Sequence, residues 1–243
     1  MTTTARLDRL LGNLGYGTRK DIQRLASAGL IVFDGQGLSD ASRKVPVGPD
    51  LPQRLLVRGE PVDPPAPLTL IMHKPVGVVC SHKEDGERVY DLLPPRWRVR
   101  DPALSSIGRL DKETSGLLLI TDDGPLLHRV ISPKNHVAKR YVAKLARPLQ
   151  GHEAALFASG TFMLEGEDKP LAPARLEALG RDRARLSIQE GRYHQVRRMF
   201  AAAGNHVLEL HRESIGGLHL PHDLAPGAFR ILSADEAARI FAG

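Results

Sequence analysis

Cysteine is almost missing from this chain: Cys80 is the only one among 243 residues. One thiol excludes an intrachain disulfide and any thiolate cage around a metal. Cys80 follows Gly77-Val78-Val79 in a strand-like run and reads as a buried apolar filler. No uncharged apolar stretch approaches the ~20 residues that a membrane span needs. The N-terminal Met1-Thr2-Thr3-Thr4-Ala5-Arg6 lacks the apolar segment of a secretory signal. A soluble, cytoplasmic protein with no membrane partner is therefore expected. Internal repeats and low-complexity tracts are absent, and no acidic or histidine cluster has metal-ligand spacing. Asp122-Asp123-Gly124-Pro125 has no further acidic ligand nearby, so it reads as a turn and helix start, not a metal loop. Neither a metal nor a cofactor is expected.

What is present is an ordinary globular composition, 42% hydrophobic and 26% charged, with a formal net charge of +6. Excess positive charge points to an anionic partner, nucleic acid first. Residues 1–59 carry nine Lys and Arg against five Asp and Glu, so most of the excess falls in the first quarter. There, Leu7, Leu10, Leu11 and Leu14 recur at helical spacing. Gly15 and Gly17 break that pattern; Thr18 then caps a second helix, with Asp21 three residues on and Gly29 as its stop. Leu30-Ile31-Val32-Phe33 reads as a strand running into an Asp34-Gly35 turn. Pro61, Pro64, Pro65 and Pro67 crowd the next few residues and suggest a stiff linker over 60–67. That divides the chain into 1–59 and 68–243.

In the second part, strands are expected at 69–73, 76–81, 116–121, 140–145, 175–179, 184–189 and 206–211. Helices are expected at 125–131, 151–159, 194–203 and 234–241. Interspersed strands with few helices predict an α+β domain on a large, mostly antiparallel mixed sheet. At its centre lies Gly108-Arg109-Leu110-Asp111-Lys112-Glu113-Thr114-Ser115-Gly116, which runs into Leu117-Leu118-Leu119-Ile120-Thr121-Asp122-Asp123-Gly124. Asp111 thus sits on a loop feeding a buried strand, where sheet geometry can hold it.

This stretch resembles the catalytic loop of the pseudouridine synthases that modify ribosomal RNA. Further matches follow in order: Lys74-Pro75-x-Gly77, then Ser132 to Tyr141 ending in Lys139-Arg140-Tyr141. Glu190-Gly191-Arg192-Tyr193-His194-Gln195-Val196-Arg197-Arg198-Met199-Phe200 comes next, and finally Glu209-Leu210-His211-Arg212-Glu213-x-Ile215-Gly216-Gly217. The last two segments are most similar to the RsuA-type branch acting on small-subunit (16S) rRNA. Arg6-Leu7-Asp8, Thr18-Arg19-Lys20 and Val32-Phe33-Asp34-Gly35 resemble the S4 RNA-binding domain, so 1–59 is expected to be S4-like.

The resemblance implies that Asp111 is catalytic, as nucleophile on the base, as nucleophile on the sugar, or in an elimination at the ribose. It implies that Tyr141 stacks on the detached base and helps move the C5 proton. A basic partner keeps the aspartate ionised. On a helix whose apolar stripe is Val196, Met199, Phe200 and Ala203, Arg197 flanks the buried face while Arg198 points away. Arg197 is therefore the expected partner, and Arg198 is expected on RNA phosphate. Arg109 is expected to enter the space left by a flipped uridine, or to touch phosphate. Arg6, Arg9, Arg19, Lys20 and Arg24 are expected phosphate contacts in the S4-like part. His194 and His211 read as packing or hydrogen-bonding residues. The expected partner is ribosomal RNA, as small-subunit RNA or a partly assembled particle, and the family is usually monomeric. The alternatives are a synthase of large-subunit rRNA and a non-catalytic RNA-binding assembly factor.

Overall fold

The four leucines of the first stripe are all buried. In this computed structural model, which describes residues 3–81 and 83–242, they belong to the first of two compact units. Unit 1 takes the chain up to Leu68, together with Leu93–Ser105 and Thr121–Asp123; unit 2 takes the remainder.

Unit 1 begins with strand β1 (Thr3–Arg6), helix α1 (Leu7–Asn13) and helix α2 (Arg19–Ser27). At Thr18 the expected cap is a reciprocal box: Asp21 N donates to Thr18 Oγ1 and Thr18 N donates to Asp21 Oδ2 at 2.9 Å. The chain continues through β2 (Ile31–Phe33), β3 (Gln36–Gly37), β4 (Lys44–Val47), α3 (Leu51–Arg54), β5 (Leu55–Val57) and β6 (Glu60–Pro61). β1 pairs with β4, and β3-β2-β5-β6 form a second small sheet. Leu7, Leu11, Ile22, Ile31, Leu51 and Leu55 meet in one fully buried core.

The proline-rich segment is not a free linker, because it is packed into this unit. Arg96 Nε donates to Asp63 Oδ2 at 2.5 Å, and Arg100 Nη2 donates to the Pro64 carbonyl at 3.0 Å. Asp122 closes the arrangement, pairing with Arg100 at 3.2 Å and accepting from Leu68 N at 2.6 Å. Prolines leave carbonyls without matching donors, and distant arginines supply the donors. Local composition could not reveal this, so the expected division at 60–67 becomes a boundary after Leu68 with two later segments added to unit 1.

Unit 2 carries β7 (Thr69–Lys74), β8 (Ser105–Ser106, at its edge), β9 (Thr114–Thr121), α4 (Gly124–Ile131), β10 (Lys139–Leu145), α5 (Glu153–Ala158) and β11 (Arg175–Ala178). It continues with β12 (Arg183–Ile188), α6 (Gln195–Ala202), β13 (Val207–Ile215), β14 (Leu218–His219), β15 (Phe229–Ile231) and α7 (Ala234–Arg239). The sheet order is β11-β12-β10-β13-β9-β7-β15, with β14 paired to β13 and β8 to β9. The β13–β9 pair is parallel, whereas β11–β12, β12–β10, β10–β13 and β7–β15 are antiparallel. This is the α+β architecture and mostly antiparallel mixed sheet expected. Residues 76–81 form no strand and make only an isolated bridge, Val79 to Arg88.

Leu117 and Leu119 of β9 pack with Val130 of α4 and with Ile240 beside α7. Thr114 and Gly116 alternate to the opposite face, in register with Leu210 and Arg212 of β13. Tyr141 of β10 is also in register with Arg212. That face carries the candidate site.

Candidate active site

Asp111 is half-buried on the loop entering β9. Three contacts pin the loop. The Lys74 ammonium, fully buried at the end of β7, donates to the carbonyls of Lys112 at 3.3 Å and Thr114 at 2.8 Å. Gly77 N donates to the Lys112 carbonyl at 2.8 Å, and Leu110 N reaches Cys80 Sγ at 3.5 Å. Burial pushes the Lys74 pKa down and the Cys80 thiol up; nearby Asp111 and Glu113 oppose the shift at Lys74. The expected filler Cys80 is thus buried and also receives a backbone bond from the Asp111 loop.

Gly116 is required by the fold. Its φ is +111°, and a Cβ there would lie 2.3 Å from the Arg212 carbonyl oxygen. The absence of a side chain lets β13 approach and brings Arg212 beneath the site. Arg212 is only 3% exposed. Its Nε donates to the Leu117 carbonyl at 2.8 Å and its Nη1 to the Tyr141 hydroxyl at 3.3 Å. Among the described residues its Nη2 has no hydrogen-bond partner, and neither has the buried Thr114 Oγ1. Lys139, also in the field of Arg212, has its pKa lowered mainly by burial. Asp111, Thr114 and Tyr141 line one cavity of about 80 Å³, walled by Ile188 and Leu210. A larger cavity of about 500 Å³ adjoins it and shares Arg109–Asp111, Gly191, Arg192 and His194.

The partner of Asp111 differs from the expectation. Among the described residues, the polar side chain that faces the Asp111 carboxylate is His194, with Nε2 3.4 Å from Oδ1. Arg197 instead donates to the carbonyls of Val207 at 3.1 Å and Glu113 at 2.8 Å. It flanks the buried face, as the helical period required, and uses that position to tie α6 to the Asp111 loop. His194 was read as a packing or hydrogen-bonding residue. A tight turn in which Arg192 N donates to Gln195 Oε1 and Gln195 N donates to the Arg192 carbonyl holds His194 at φ +48°. Helical periodicity does not foresee a cap residue in that conformation.

Arg198 is likewise not free for phosphate: it pairs with Glu167 at 2.6 Å and donates to the Glu165 and Tyr193 carbonyls. Arg109 is exposed and loosely paired with Glu84 at 3.7 Å. In unit 1, Arg6 pairs with Asp8 at 2.7 Å and Arg24 with Asp21 at 3.6 Å, while Arg9, Arg19 and Lys20 lie exposed. Arg212 and Thr114 were given no role from sequence. Their chain neighbours gave no signal, since Arg212 lies between His211 and Glu213 and Thr114 between Glu113 and Ser115.

A carboxylate and a phenol thus line one small cavity on a mixed sheet, with a buried guanidinium on the phenol oxygen. The comparisons give the class. Residues 69–202 match the RNA pseudouridylate synthase family, and the chain belongs to that family. It is 40% identical to the "Ribosomal small subunit pseudouridine synthase A" of Vibrio cholerae, covering 97% of this chain and 99% of that one. The Escherichia coli protein of the same name is 39% identical over the same shares. An "Uncharacterized RNA pseudouridine synthase YtzG" from Bacillus subtilis is 40% identical, over 95% of this chain and 96% of its own. A solved "pseudouridylate synthase" superimposes with a TM-score of 0.68 at 34% identity, covering 97% of this chain and 99% of that one. The chain is therefore a pseudouridine synthase, an isomerase whose substrate is RNA. Among the described residues, no helix is long and apolar enough to cross a membrane.

Proposed function

We propose that this chain converts a uridine of small-subunit rRNA into pseudouridine, with Asp111 as the reacting carboxylate and Tyr141 serving the detached uracil. The reaction breaks the N1–C1′ bond, forms C5–C1′, removes the proton at C5 and places one at N1. Asp111 and Tyr141 lining the same cavity is the observation that carries this reading. The target base leaves its stack to enter that cavity, at a cost of a few kcal/mol.

His194 faces Asp111 and Lys74 holds the loop beneath it, so the carboxylate is kept in place from both sides. Arg212 donates to the Tyr141 oxygen. This directs the phenolic proton toward the cavity, where Tyr141 can pass it to N1 and take the C5 proton in return, ending as the phenol it began as. Arg197 acts as a positioning residue through the Glu113 carbonyl.

The small-subunit reading is supported by the near-complete match to the Vibrio and Escherichia coli relatives. Unit 1 is proposed as the S4-like part that holds RNA phosphate through Arg9, Arg19 and Lys20, with Arg6 and Arg24 in reach once their carboxylates yield them.

Tritium release from C5-labelled small-subunit rRNA tests both statements. Wild type is expected to release tritium, and Asp111→Asn to fall by at least roughly 10³-fold. Full activity in the variant overturns the role of Asp111. Release from large-subunit RNA alone overturns the substrate assignment.

A further inference from the structure

Tyr193 is the large apolar side chain most exposed to solvent among those described, at 73%. It does not belong to any core, and it is not mobile surface. Its ring stacks on that of His194, centroids 3.9 Å apart and planes within 16°. Its carbonyl accepts from Arg198 at 3.2 Å, and the preceding Arg192 is fixed by Glu167 and Glu190 at 3.0 and 3.2 Å. One face of the ring is therefore covered by the imidazole that touches Asp111, while the other is open. Tyr193 also lines the 500 Å³ cavity that shares Asp111 with the inner one, beside the cations Arg109 and Lys112.

We propose that Tyr193 is a stacking platform for an RNA nucleobase adjoining the target uridine, forming a second base subsite at the mouth of the active site. This rests on the reading that the target uridine is flipped into the cavity at Asp111. Flipping deprives a neighbouring base of its stacking partner, and a rigid aromatic face beside the cavity replaces it. Every base has a π-face, so such a platform holds the strand without reading its sequence. Arg109 and Lys112 suit the adjoining phosphate. The order is then nucleobase, Tyr193, His194 and Asp111.

The test uses whichever rRNA fragment the wild type modifies, so a wrong choice of ribosomal subunit leaves it intact. Tyr193→Leu and Tyr193→Ala are expected to raise KM about tenfold and change kcat less than twofold, because stacking acts on binding. Tyr193→Phe and Tyr193→Trp are expected to stay within about twofold of wild type in both. 2-Aminopurine placed in turn on either side of the modified uridine is expected to change fluorescence at one position with wild type, and at neither with Tyr193→Leu. A wild-type KM for Tyr193→Leu overturns the proposal. So does a fall in kcat at unchanged KM, which would make Tyr193 only a support for His194. An exposed position makes all four variants compatible with folding, and a circular dichroism melt matching wild type verifies it.

Discussion

Each unit buries an arginine, and the two are compensated differently. In unit 1 the Arg100 side chain is 2% exposed and faces Asp122 at 0%, a buried ion pair whose carboxylate also accepts from Leu68 N. In unit 2 Arg212 is as deeply buried, yet its hydrogen bonds go to a carbonyl and a phenol oxygen and to no carboxylate; among the described residues each arginine also keeps nitrogens without a partner, Nε and Nη1 in Arg100 and Nη2 in Arg212. A buried charge without a counterion is costly unless its hydrogen bonds are made. The first arrangement staples distant segments of chain; the second places positive charge beside the hydroxyl of Tyr141, the residue proposed to serve the detached base. Buried charge thus stands in two settings here, and the one without a carboxylate lies beside the proposed site.

Breaking the two sites should give opposite signatures. Arg100→Met leaves Asp122 as an uncompensated buried carboxylate and is expected to cost about 3–5 kcal/mol. A melt should show Tm lower by roughly 6–20 °C, with kcat per folded molecule unchanged. Arg212→Met strands no carboxylate and should lower Tm less. Its kcat is expected to fall about 10²-fold, with Arg212→Lys recovering part of it and shifting the pH profile of kcat. If Arg212→Met destabilised as much as Arg100→Met while kcat held, the contrast between the units would fail.

A smaller effect sharpens the comparison with an ion pair nearer the surface. Arg230 holds the Glu236 carboxyl, together with Ser233, down to about 2 from 4.5. The folded pKa is depressed, so this stabilisation is present above pH 4.5 and is lost as pH falls toward 2. With Arg230 about 40% exposed, screening reduces it to roughly 1–2 kcal/mol. Glu236→Gln should remove that part of the acid limb from a pH series of melts. The smallest effect belongs to the exposed cations of unit 1. Replacing Arg19 and Lys20 by alanine is expected to lower the slope of log Kd against log salt by roughly 0.7–0.9 per lost phosphate contact. kcat is expected to be unchanged.

The elements that could be read from the sequence are those set by short-range pattern. The Thr18–Asp21 box, the leucine stripe of α1, and the Asp111 loop entering β9 depend on neighbours within a turn or two, and each appears where spacing placed it. Residues 76–81 have strand composition, but the sheet supplies no neighbour for them, so they stay a loop with one bridge. Arg197 shows the limit of periodicity. Its helical phase was right, yet phase gives a direction and not a partner, and the groups it meets come from Glu113 and Val207.

By itself the sequence determined the helices α1, α2, α4 and α6 and the order of the motifs, because local propensity is written in it, and through family resemblance it named Asp111 and Tyr141 as the pair to test. Only the tertiary structure decided which polar side chains face one another. His194 beside Asp111, Arg212 beneath Tyr141 and Arg100 on Asp122 join residues 22 to 83 positions apart. Hydrogen bonds and charge pairs form by distance in space, and sheet register together with the close approach at Gly116 set those distances.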